Sequence, residues 1–290
     1  MGMYRKAVVI ILALTVALSI LATPGLAAAK KQLAVGWTVA YFDHPVYQLM
    51  MKAMKEVAEK EGIKLIVVDR RIFRRGQNVK WNCFVTWDMV GSGRLGGEQV
   101  VKALNGKGNL VVVEGTPGAG STIDRGDAFY NVIKKYPDIK VVYKISADFR
   151  RDKGLQVTED ILQRFPKGTI DAIYYMNDEM ALGGLQAIKA AGRLGDFKVI
   201  SVDGEKEAME ALKRGEIDYE VIFHPDDHAV AMNIMAATLR KQKIDLSKLE
   251  YKGRKMDLVE SEGIPWVRPQ CLQCFWVDKT NVHEPENSGW

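Results

Sequence analysis

The chain has 290 residues, 47% of them hydrophobic and 27% charged, which supplies a sizeable core for one or two globular domains and excludes a disordered chain. A formal net charge of +5 is too small for the basic footprint of a nucleic-acid-binding protein. The three cysteines make no zinc site, since Cys271 and Cys274 form a lone CxxC that would need two more ligands at suitable spacing.

Arg5 and Lys6 precede an apolar run over 7–22, and small residues follow it over 23–29. Residues 1–28 are therefore expected to be a secretory signal peptide; the alternative, an uncleaved anchor, has a run somewhat short for a bilayer. In an exported chain Cys271 and Cys274 can close as a small disulfide, and Cys83 is left as a buried thiol. The segment 33–39 reads as a strand. Leu49, Met50, Met54, Val57 and Ala58 recur at helical spacing until Gly62, and 63–69 is the next strand. The stretch 70–82 is irregular and basic, with Arg70, Arg71, Arg74 and Arg75, and 83–86 is a short extended piece.

From there the pattern is regular. Helices are expected over 93–104, 122–135, 152–165, 178–191, 206–214 and 226–240, and strands over 109–114, 140–145, 170–176, 198–202 and 219–223. Strands alternating with helices of this length indicate right-handed βαβ units and a doubly wound parallel sheet. The tail from Tyr251 onward is poorly periodic. Two strands end in Asp, at Val68-Asp69 and Val202-Asp203, which suggests two similar lobes.

Several groups carry possible chemistry. Gly91-Ser92-Gly93-Arg94-Leu95-Gly96 matches GxGxxG with Glu114 at the end of the following strand, so an NAD-dependent oxidoreductase is one reading and close helix packing the other. Residues 115–121 form a turn-rich loop ahead of Arg125, which either reaches a ligand with its fixed fork of donors or is a surface arginine. Asn177, at a strand-to-helix switch, can contact a ligand through its amide, or Asn177 or Asp178 simply caps the helix. His224 and His228 flank two aspartates, but Pro225 starts a helix between them and argues against a metal. No nucleophile elbow or activated cysteine is present, so no catalytic set emerges. Tyr41, Phe42, Tyr47, Phe149 and Phe223 lie at strand ends or loop starts beside Asp69, Arg70, Arg125, Asn177 and Asp203. Ring faces for C–H surfaces, with carboxylates, amides and guanidinium groups for hydroxyls, are the mixture a sugar requires; core packing is the alternative for each ring.

At these residues the sequence resembles the periplasmic sugar-binding proteins of ABC importers, in the ribose/galactose-type branch of the type I binding-protein fold. The motifs are Asp43-His44-Pro45-Val46-Tyr47, Val68-Asp69-Arg70, Val112-Val113-Glu114-Gly115 with Pro117, Gly118, Ala119 and Arg125, Ala147-Asp148-Phe149, Met176-Asn177-Asp178-Glu179-Met180-Ala181-Leu182-Gly183 and Val202-Asp203-Gly204. The resemblance spans about residues 31–245. It implies two Rossmann-like α/β lobes with parallel sheets joined by a hinge, closing on a monosaccharide, pentose or hexose. It also implies a periplasmic monomer without cofactor or metal, delivering to an inner-membrane ABC permease. Ligand contacts are then expected at His44, Tyr47, Asp69, Arg70, Arg125, Phe149, Asn177 and Asp203, with Phe149 stacking on the sugar ring and Phe223 standing where relatives place an amide. The expected division is 31–87 with 224–245 as lobe 1, 88–223 with about 246–262 as lobe 2, and 263–290 as a tail. Lobe 1 looks shortened, by roughly one and a half βα units relative to the family pattern. A deletion variant with impaired binding is thus a further alternative.

Overall fold

The computed structural model describes residues 34–37, 56–57, 60, 64–69, 83–222, 227–240, 242, 245, 248, 250–251, 254–261, 264–269 and 275–284. All of them lie in the compact unit Gln32–Trp290. The expected signal peptide falls outside the described residues.

Described elements, in chain order, are β1 (Ala34–Trp37), β2 (Lys64–Val68), β3 (Cys83–Val85), α1 (Met89–Ala103), β4 (Gly108–Glu114), α2 (Gly120–Ile133), β5 (Ile139–Ser146) and α3 (Arg151–Arg164). They continue as β6 (Ala172–Tyr175), α4 (Asp178–Ala190), β7 (Lys198–Asp203), α5 (Lys206–Lys213), β8 (Tyr219–Ile222), α6 (Asp227–Leu239), β9 (Glu250–Tyr251), β10 (Arg254–Ser261), β11 (Ile264–Pro269) and β12 (Phe275–Val277). Two six-stranded sheets result, in the orders β1-β2-β3-β11-β10-β9 and β12-β8-β7-β6-β4-β5.

The second sheet is the doubly wound one. Its strands β4 to β8 run parallel, and β12 pairs antiparallel with β8 along the edge. Parallel strands with helices on both faces are buried on both faces, which explains their continuous apolar runs: Leu110 to Val113, Ala172 to Tyr175, and Val199 to Val202 with Ser201 the one polar residue, all at 3% exposure or less. Burying a side chain such as Ile173 completely contributes roughly 1.5–3 kcal/mol. Phe129 of α2 stacks on Tyr174 at 4.2 Å between ring centroids, and the Tyr175 hydroxyl lies 2.9 Å from Thr158 Oγ1 on α3. Strand β4 sits between β5 and β6, so the winding reverses at its carboxyl end; that switch point is where open α/β sheets take ligands.

The first sheet holds β1, β2 and β3 in parallel with β11, and α6 packs Val230, Ala231 and Ile234 against Ile66, Val68 and Val85. Cys83 lies in this cluster; burial pushes its thiol up to about 12, so it stays protonated. The sequence reading needs correcting here. Residues of 246–262, expected with the second lobe, form β9 and β10 of the first sheet, and the expected tail provides β11 to the first sheet and β12 to the second. The reason is pairing at long range: Trp266 registers with Phe84, and Phe275 with Ile222, far apart in the chain and invisible to local periodicity. In consequence the chain passes between the two sheets three times, after β3, after β8 and after β11.

Candidate functional site

The site is built at the carboxyl ends of β4, β6 and β7. Arg125, in the second turn of α2, is 2% exposed and directs its guanidinium at fixed acceptors on α1, past β6 and on β7. Nε donates to Ser92 Oγ at 3.1 Å, Nη1 donates to the Met176 carbonyl just past β6, and Nη2 meets Asp203 Oδ1 at the end of β7 at 3.2 Å. Ser92 is held in turn by donating to the Met89 carbonyl at 2.8 Å. Arg125 therefore ties the ends of two neighbouring strands together and places a guanidinium beside a carboxylate. Burial raises the Asp203 carboxyl above its ordinary range, the charge of Arg125 opposes that shift, and Asp178 adds to it.

Asn177 follows β6 and is 7% exposed. Its Oδ1 accepts from the Met180 amide at 3.0 Å, so it caps α4, where Asp178 and Glu179 occupy the first turn and favour the helix dipole. The capping oxygen leaves the amide nitrogen over, and among the described residues that nitrogen makes no hydrogen bond. Capping and ligand contact are thus compatible in one side chain.

Non-glycine residues with positive φ mark the carboxyl ends of β2, β5 and β7. Asp69 after β2 has φ 67°, Asp148 and Phe149 after β5 have 55° and 58°, and Asp203 has 141°. For non-glycine residues this backbone is strained, and such strain concentrates at sites that need a fixed geometry. Phe149 is half-buried and its ring covers Gly115 so closely that a Cβ there would sit 1.9 Å from Cζ. In the first sheet Asp69 Oδ1 accepts from Trp87 Nε1 at 2.7 Å, and the Asp69 carbonyl accepts from Thr86 Oγ1 at 2.7 Å. This anchors the end of β2 to the passage between β3 and α1.

Of the expected site residues, the structure brings Arg125, Asp203 and Asn177 to neighbouring strand ends and puts Phe149 at the end of β5 and Asp69 at the end of β2. His44, Tyr47, Arg70 and Phe223 lie outside the described residues, as do His224, Cys271 and Cys274. Among the described residues no group of three or more His, Cys, Asp or Glu side chains is arranged to hold a metal ion.

Sequence reading missed a second layer. Asp178, fully buried, accepts from the amides of Gly204 at 2.9 Å and Glu205 at 2.7 Å, and from the Ser201 hydroxyl. It therefore braces the turn that carries Asp203. Glu205 itself is pushed up to about 7 by burial and by the charges of Asp203 and Glu179. The available signal was Glu220, a carboxylate inside the apolar strand Tyr219-Glu220-Val221-Ile222.

The glycine motif also needs correcting. A dinucleotide fingerprint places its glycines in the turn between strand and helix. Here α1 starts at Met89, with Asp88 as N-cap, so Gly91, Gly93 and Gly96 lie inside the helix and are buried. A Cβ on Gly93 would meet the Arg125 carbonyl oxygen at 2.0 Å, which makes the motif a seat for α2 and its arginine. The oxidoreductase alternative loses its structural basis.

A doubly wound α/β sheet, a second sheet reached by three passages and polar groups at the carboxyl ends of strands are the architecture of the periplasmic binding protein fold. Residues 36–243 match the family described as periplasmic binding protein domain, and the chain belongs to that family, which consists of binding proteins and not enzymes. It is similar to ribose import binding protein RbsB of Bacillus subtilis (strain 168), 29% identical over 252 residues that cover 71% of this chain and 81% of that one. It is also similar to galactofuranose-binding protein YtfQ of Escherichia coli (strain K12), 34% identical with 64% of this chain and 60% of that one covered. Matches to several further relatives likewise span less than two thirds of the relative's length. Among solved structures, an ABC transporter periplasmic solute binding protein from Actinobacillus succinogenes 130z with bound D-allose has a TM-score of 0.67 and 26% identity, covering 86% of this chain and 79% of that one.

Proposed function

We propose that the chain is the periplasmic substrate-binding component of an ABC-type sugar importer, exported by the signal peptide at 1–28. In this reading it binds one pentose or hexose as a monomer between two lobes, each built on one of the two sheets. It releases the sugar to an inner-membrane permease. The observation that carries it is the grouping of Arg125, Asp203 and Asn177 at adjoining strand ends, where a guanidinium, a carboxylate and an uncommitted amide N–H offer hydroxyls both donors and acceptors. Phe149 is the ring expected to cover the apolar face of the sugar, with Asp69, Arg70, His44, Tyr47 and Phe223 as further contacts. The names of the relatives, which cite ribose, galactofuranose and D-allose, favour a monosaccharide. Closure follows from differential contact: only the closed arrangement lets both lobes touch the sugar, so the sugar shifts the population toward it.

The test is isothermal calorimetry of the mature protein against a panel of pentoses and hexoses that includes D-ribose, D-allose and L-arabinose, with NAD and NADP as controls. Saturable heat with at least one sugar and none with the nucleotides is expected. Silence across the sugar panel would overturn the reading.

A further inference from the structure

Glu220 is the most conspicuous group that the site described above does not use. It is 0% exposed on β8, and among the described residues neither of its oxygens has a hydrogen-bond partner of ordinary length and angle. A buried carboxyl left in that state costs free energy unless it is neutral and shares its proton. Its surroundings say with what. Glu220 is the register partner of Ser201 on β7, so both side chains leave the sheet on one face, and Ser201 donates to Asp178 there. Asp178 is the side chain that acts most strongly on Glu220, through its charge and through hydrogen bonding.

We propose that Glu220 is a positioning residue for ligand binding: as an uncharged acid it donates to Asp178, and Asp178, kept as a carboxylate, pins the Gly204 and Glu205 amides that hold Asp203 in its positive-φ turn. The proposal rests on the reading of Asp203 as a sugar contact, but the pinned turn can be tested without any sugar. Burial raises both carboxyls, but Asp178 already accepts from the Ser201 hydroxyl and the Gly204 and Glu205 amides, whereas no donor of ordinary geometry reaches Glu220 among the described residues, so the shared proton belongs on Glu220. The other charged group acting on Glu220 is Asp203 of β7, itself faced by Arg125 of α2 and neighboured by Glu205 at the start of α5. Toward this core α5 turns Ala208, Met209, Ala211 and Leu212, while Lys102 of α1 and Asp278 beyond β12 pair with each other near Tyr219.

Two variants of the full mature chain decide the matter, Glu220→Gln and Glu220→Leu. The first readout is native-state hydrogen exchange at the Gly204 and Glu205 amides without sugar; the second is calorimetric affinity for whichever panel sugar binds the native protein best. Glutamine keeps a neutral donor in the same shape, so protection and affinity should match the native chain. Leucine removes the donor, and both should fall about tenfold or more, the scale of one buried hydrogen bond to a charged group. After correction for intrinsic rates, raising the pH into the mildly alkaline range should weaken protection in the native chain and leave Glu220→Gln unchanged. Leucine behaving like the native chain, or glutamine failing like leucine, would overturn the proposal. If Glu220→Leu does not fold, the pH profile of Glu220→Gln decides: a decline parallel to the native one refutes the proposal and a flat profile supports it. Native protein that binds no sugar but shows the expected exchange pattern would refute the sugar reading and leave the pinned turn standing. Sugar binding with exchange unaffected by either variant would do the reverse.

Discussion

Arg125 and Asp203 form a pair whose side chains are 3% and 12% exposed, and the worth of such a pair lies in what breaking it does. Removing one partner leaves an uncompensated buried charge, at a cost of about 3–5 kcal/mol. Arg125→Met should therefore lower the denaturation midpoint strongly. Because the variant loses the positive charge that favours the Asp203 carboxylate, and protonation of Asp203 removes the need for it, the deficit should shrink as the pH falls, and melting curves at acid and neutral pH check the sign. Asn177 separates two roles. Asn177→Ala loses the cap of α4 and about 1 kcal/mol of stability. Asn177→Ser keeps a capping oxygen but no amide N–H, so it should melt close to the native protein yet bind the panel sugar more weakly by roughly 1–3 kcal/mol, the cost of leaving partner hydroxyls unpaired. Equal sugar affinity in the serine variant would take Asn177 out of the proposed site.

Among the elements, α1 shows how a motif can mislead. Its glycines match a phosphate-binding spacing, yet their physical use is close approach: Gly91 to the Asp88 cap, Gly93 to the backbone of α2 and Gly96 to the Tyr174 ring of β6, with Ser92 supplying an acceptor to Arg125. Gly93→Ala would drive a methyl group into the backbone of α2, where no side chain can rotate away. A loss of at least about 1–3 kcal/mol in urea unfolding is expected, and sugar affinity should fall with it because Arg125 moves with its helix. A variant with native stability would show that α1 and α2 can separate without cost. The N-terminal ends of α3, α4 and α5 are joined by Arg151, which pairs with Glu179 at 2.7 Å and Glu207 at 2.8 Å. These are partly exposed pairs, so they orient the rim more than they stabilise it.

For the whole molecule the consequential segment is the last one. Strand β12 covers the edge of β8, and Val277 and Val282 are at most 1% exposed in the core of the second sheet. Deleting residues 270–290 should uncover that edge and forfeit roughly 1.5–3 kcal/mol for each of the two valines, seen as a lower Tm in scanning calorimetry. An unchanged Tm would make the segment a mere appendage.

By itself the sequence determined the elements of the second sheet from β4 to β8 and the polar residues at their ends. Apolar runs of strand length alternate there with helices whose periodicity is encoded within a few residues, and Asn177 adds a local cap for α4. It also carried the resemblance to periplasmic binding proteins, which the family match over residues 36–243 bears out at the level of the family. Only the tertiary structure decided where the C-terminal strands pair, why the glycines of α1 are there, and that Asp178 and Glu220 stand behind Asp203. Each of these depends on contacts between residues distant in the chain, and neither local propensity nor spacing contains the register or the burial that such contacts create.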